Sequence, residues 1–102
     1  MGLAKKNIMI APSTDKRTLA QLESVNIESG FYYVKEEKTI NGTTSDRWTV
    51  ICISSEERES MHCYTQIWIQ GATGTTQIGT NKMFIRTSAE DSSAWSTFTS
   101  MV

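Results

Sequence analysis

Few side chains in this sequence are able to do chemistry, and their spacing decides against most of it. His62, the only histidine, stands beside Cys63. The alternation around them reads as a strand, in which neighbours point to opposite faces. The two therefore cannot form a thiol–imidazole nucleophile pair or ligate one metal together. The run Glu56-Glu57-Arg58-Glu59 supplies paired carboxylates. Read as a charged loop, it neither fixes their separation nor buries one to raise its pKa. Gly71, Gly74 and Gly79 lack the lysine and the strand-to-helix setting of a phosphate loop and are read as turns. Cys52 and Cys63 are too few for a disulfide framework and have no companions at zinc spacing, so free thiols are expected. No catalytic residue, metal site or cofactor is expected, and the chain reads as a binding or structural module.

Recognition chemistry remains. Tyr64, Gln66 and Trp68 alternate with His62 on one face of a strand, and their polar neighbourhood suggests solvent or a partner on that side. Arg86 shares a face with Phe84 and Ser88, opposite Met83, Ile85 and Thr87. It could hold an acidic sugar or a phosphate group, but a salt bridge to Glu90, Asp91 or a neighbouring subunit is favoured. Trp95 could stack on a sugar ring, yet core is favoured because aromatic residues dominate the burial available to a small domain. Tyr64, Gln66, Trp68 and Arg86 are the candidate ligand-binding residues.

The elements that would position them are strands. Residues 1–12 read as an N-terminal arm ending at the single proline, Pro12, and residues 13–102 as one β-rich domain. Ser13 or Thr14 is placed to cap a short helical turn over 18–25, whose Leu19, Leu22 and Val25 share a face and need a sheet to lie against. Gly30 introduces a strand, Phe31-Tyr32-Tyr33-Val34-Lys35. Asn41-Gly42 is a turn signal, since both residues tolerate positive φ. Strands follow over 47–54 and 61–69, and aligning one apolar face across them pairs Cys52 with Cys63 and Trp48 with Ile67. Segment 71–81 is a glycine- and threonine-rich connection with room for an irregular strand at Thr76-Gln77-Ile78. A closing hairpin joins Lys82-Met83-Phe84-Ile85-Arg86-Thr87-Ser88 to Ala94-Trp95-Ser96-Thr97-Phe98. The expected fold is mainly β: a small antiparallel sandwich or barrel-like knob of about five strands with one short N-terminal helical turn.

The chain of 102 residues is long enough for one modest core. A net charge of −1 argues against nucleic acid and against an anionic membrane as partners. No stretch reaches the roughly 20 apolar residues of a membrane span, and the first ten residues lack the apolar run of a secretory signal, so cytoplasmic synthesis is expected. Both strand faces carry apolar residues, Ile51 and Ile53 on one and Trp48, Val50 and Cys52 on the other. One small sheet cannot hide both, so a second layer or neighbouring chains must cover one of them.

Six landmarks fall in a set order: Leu19-Ala20-Gln21-Leu22, Gly30-Phe31-Tyr32-Tyr33-Val34, Trp48-Thr49-Val50-Ile51-Cys52-Ile53, Tyr64-Thr65-Gln66-Ile67-Trp68-Ile69, Met83-Phe84-Ile85-Arg86-Thr87 and Ser93-Ala94-Trp95-Ser96-Thr97-Phe98. Together they resemble the knob domain of bacteriophage tail fibres and R-type pyocin fibres, from Leu19 to Phe98. The resemblance implies a non-enzymatic virion knob, often trimeric, that holds a bacterial surface glycan during host attachment. An alternative is a structural virion protein that decorates, plugs or trimerises a tail, fibre or capsid assembly. Its arm would then dock onto other virion proteins.

Overall fold

The computed structural model describes residues 14–25, 27–58, 61–71, 82–88 and 94–101, and for 55–58 and 61–62 the backbone alone. The elements are β1 (Asp15–Lys16), α1 (Leu19–Leu22), β2 (Gly30–Val34), β3 (Lys38–Ile40), β4 (Thr43–Ser45), β5 (Trp48–Arg58), β6 (Met61–Gln70), β7 (Met83–Thr87) and β8 (Thr99–Ser100). Six strands form one sheet in the order β1-β2-β5-β6-β7-β8, and β3 pairs with β4 in a separate ribbon. All pairings are antiparallel except that of β1 with β2. The expected mainly β architecture with one short helical turn is present, in a small sandwich-like arrangement.

Period-2 alternation sorts the main sheet into two faces. The inner face carries Tyr32 and Val34 of β2, Trp48, Val50 and Cys52 of β5, Gln66 and Trp68 of β6, and Phe84 and Arg86 of β7, all buried. Leu22 from α1 and Ile40 from β3 complete this core, with Leu19, Ile27 and Phe98 packed against it. Trp48 and Trp68 meet edge to face at 5.9 Å between centroids, and Trp48 lies 6.1 Å from Phe84. The Trp48 indole N–H donates to the Ser45 carbonyl at 3.1 Å, tying the ribbon to the core.

Local chemistry sets the helix and the ribbon. Thr18, not Ser13 or Thr14, caps α1 through a capping box: its hydroxyl accepts the Gln21 N–H at 3.1 Å, and the Gln21 side-chain Oε1 accepts the Thr18 N–H at 2.9 Å. Between β3 and β4, Asn41 and Gly42 adopt φ of 47° and 86°, the consecutive positive values of a type I′ hairpin turn.

Three further expectations are corrected. The β5–β6 register pairs Cys52 with Gln66 and Trp48 with Gln70, an odd displacement that turns every β6 side chain to the other face. Trp68 is thereby fully buried, and about 200 Å² of indole surface taken from water outweighs leaving Ile67 and Ile69 half-exposed. The charged run is not wholly a loop, because β5 continues to Arg58 with a bulge between Glu56 and Arg58. The closing strand is broken: Ser88 bridges Trp95 and the Ser96 N–H donates to the Thr87 carbonyl at 2.7 Å, but regular pairing resumes only at β8, where Phe84 faces Ser100. The interruption directs Phe98 into the core. The proposed irregular strand at 76–78, the turn at 89–93 and the arm lie outside the described residues.

Candidate functional site

The register aligns Gly30, Cys52, Gln66 and Arg86 in one row across β2, β5, β6 and β7 on the inner face. Above this row ends α1: the Glu23 and Ser24 N–H groups turn back to the carbonyls of Leu19, Ala20 and Gln21, and those of Leu22 and Glu23 take their partners from outside the helix. The row supplies the partners. Gln66 Nε2 donates to the Leu22 carbonyl at 2.9 Å, and Arg86 Nη2 donates to the same oxygen at 3.2 Å. Trp95 Nε1 donates to the Glu23 carbonyl at 2.9 Å. Two side chains of the sheet and one of the C-terminal segment thus cap the helix.

The row is also closed on itself. Gln66 Oε1 accepts from Arg86 Nε at 2.8 Å and from Trp68 Nε1 at 2.9 Å. Arg86 Nη1 and Nη2 each reach the Glu23 carboxylate at 3.4 Å, and Lys38 Nζ approaches it at 3.8 Å. Rings surround the guanidinium, with Trp95 and Phe98 centroids each 4.6 Å from Cζ and that of Trp68 at 5.6 Å, distances at which cation–π attraction operates. Burial pulls the Arg86 pKa down, and Glu23 opposes that shift. Burial pushes the Cys52 thiol up to about 11, against the hydrogen bond from Gln66 and the charge of Arg86. The thiol is protonated at neutral pH and has little nucleophilic character.

The structure therefore separates three of the four candidate ligand-binding residues from the surface. Gln66, Trp68 and Arg86 come together, but in the interior. The expectation that Trp68 faces solvent or a partner is overturned by the register. Tyr64 is half-buried at the end of the same strand face, its backbone tied to Ser88 by bonds of 3.0 and 2.8 Å. Arg86 is paired, as favoured, but with Glu23 rather than with its neighbours in sequence. Trp95 is half-buried at the rim instead of filling the core. Cys52 is buried, Cys63 is exposed, and both are free. Glu23, Lys38 and Phe98 escaped the sequence reading; only the position of Glu23 at the end of the helical turn hints at its part.

Among the described residues no group of His, Cys, Asp and Glu has metal-binding geometry. An open cleft of about 320 Å³ lies outside the core, lined by Lys16, Arg17, Thr18, Gln21, Lys35 and Glu36. Glu36 there accepts the Leu19 N–H at 3.0 Å, and Arg17 lies over the Tyr32 ring at 4.8 Å. The fold and site describe a small β module built around an internal arginine clamp. Compared with protein-family models, curated proteins and solved structures, the chain matches none.

Proposed function

We propose that this chain is a non-enzymatic structural knob of a phage or phage-like particle, trimeric, and joined to other virion proteins through its N-terminal arm. The observation that carries this reading is the inward turn of Gln66, Trp68 and Arg86. The strand a glycan would otherwise read holds the chain's own helix instead. The order of motifs that resembles fibre knobs supplies the particle. Mass spectrometry of particles purified from cells expressing the chain tests it: recovery with the particle, at a copy number divisible by three, is expected. Absence from purified particles overturns the reading.

A second reading, attachment to an acidic bacterial surface glycan, is favoured by the cleft of Lys16, Arg17 and Lys35, three cations around one engaged carboxylate. Binding of the isolated chain to whole cells, lost on Lys35→Glu with folding intact, supports it, and absence of cell binding removes it.

A further inference from the structure

Among the described residues of β2, β5, β6, β7 and β8 the outer face of the main sheet carries no charge; Lys16 of β1, in register with Tyr33, puts one at its edge. Its first register row runs Phe31, Ile51, Ile67, Ile85 and Thr99 across five strands. A second runs Tyr33, Thr49, Ile69 and Met83, and Met101 continues it through its N–H bond to the Met83 carbonyl at 2.9 Å. A third holds Ile53, Thr65 and Thr87. Phe31 is 41% exposed, Tyr33 38%, Ile53 45% and Met101 43%, and the other aliphatic positions of the rows are half-exposed. The described charges stay at the rim, where Lys16 edges the second row on β1 and Lys35 and Arg47 flank the strand ends in exposed positions.

The opposite face already has its cover in α1, the β3–β4 ribbon and Phe98. Strands about 4.8 Å apart that rise about 3.4 Å per residue give these rows a flat footprint of roughly 400 Å². That is as large as the main apolar patch a monomer tolerates, and such patches commonly have a partner. Side-chain relief enlarges it, so two such faces together approach the ~1,000 Å² of a specific interface. Edge-to-edge pairing is disfavoured, because the outermost strands are two residues each and β1 is charged. Its centre, free of charged side chains among the described residues, meets no like-charge repulsion from its own copy, and an uncharged centre within a charged rim has the anatomy of a protein interface.

We infer that this face packs against the same face of another copy of this chain, with Phe31, Ile51, Ile67 and Ile85 at the centre of the contact. The inference rests in part on the proposed assembly, for which it names the surface. It is tested on the full chain by multi-angle light scattering across nanomolar to micromolar concentration. Phe31→Lys and Ile53→Lys are run in parallel; both alter exposed positions, so circular dichroism and the melting profile verify that the fold survives. An oligomer in the wild type, with dissociation raised at least roughly tenfold by either lysine that desolvation would bury, supports the inference. A wild type that stays monomeric at micromolar concentration, or an oligomer indifferent to both lysines, overturns it. A dimer lost on Phe31→Lys supports the surface and overturns the threefold assembly, so the two readings fail separately.

Discussion

Gln66 occupies the position from which the interior is organised, since its one amide accepts from Arg86 and Trp68 and donates to Leu22. Gln66→Leu keeps the volume but leaves two buried donors without their acceptor, and an unsatisfied buried group costs about 1–3 kcal/mol. Arg86→Met removes a donor whose partners keep others: Leu22 retains Gln66, Gln66 retains Trp68, and the half-exposed Glu23 regains water. Gln66→Leu is therefore expected to lose more stability than Arg86→Met, by roughly 1–2 kcal/mol in urea unfolding at neutral pH. Equal midpoints would show that the arginine rather than the amide organises the row. Cys52 gives a pH dependence of known sign. Its folded pKa of about 11 lies above an ordinary value near 9.0, so between them the unfolded chain binds fewer protons and stability falls as pH rises. The loss from this group reaches at most about 2–3 kcal/mol. Tyr32, also raised by burial, adds to it in the same direction. Melting temperatures that fall from pH 9 to 11, and fall less steeply in Cys52→Val, are the expected result.

At the scale of elements, the helix and the ribbon depend on single residues. Thr18→Ala removes the hydroxyl that accepts the Gln21 N–H and is expected to cost about 1 kcal/mol. Gly42→Ala meets no atom within 4 Å but must hold φ at +86°, which costs roughly 1–2 kcal/mol of backbone strain. In a domain of this size each kilocalorie lowers the melting temperature by about 4–8 °C, so calorimetry resolves both. The Asn41-Gly42 turn, the helical turn near residue 20 and the strands starting at Phe31, Trp48, Met61 and Met83 were legible because each has a local cause: positive-φ residues, threefold spacing or strict alternation. The inner face of β6 was not. Alternation places Trp68 with Gln66 and His62 but cannot tell which face is buried, because Ile67 and Ile69 make the other face equally apolar. Only the tertiary partners Leu22, Cys52 and Arg86 satisfy Gln66 and make the polar face the interior. The clamp was hidden for the same reason, since Arg86 and Glu23 are 63 residues apart.

At the scale of the molecule, the covering layer is held to the sheet by side chains, whereas the sheet is held by its own backbone ladder. The described links include the bonds of Gln66 and Arg86 to the Leu22 carbonyl, the bond from Trp95 to Glu23 and the Trp48 bond to the ribbon, while a bond from Asn41 Nδ2 to the Phe98 carbonyl at 3.2 Å ties the ribbon to the C-terminal segment. Three of these converge on Leu22 and Glu23 at the end of α1. Local opening free energies scale with such attachments, and weakly attached elements open without global unfolding. Native-state hydrogen exchange is therefore expected to be slowest in the centres of β5 and β6, which are paired on both sides, and faster in α1 and the ribbon. In Arg86→Met the amides of Leu22, Glu23 and Ser96 are expected to exchange faster, while those of Val50, Ile51 and Ile67 change only with global stability. Uniform acceleration at all these amides would mean that the arginine is part of one cooperative core, with no separable layer above the sheet.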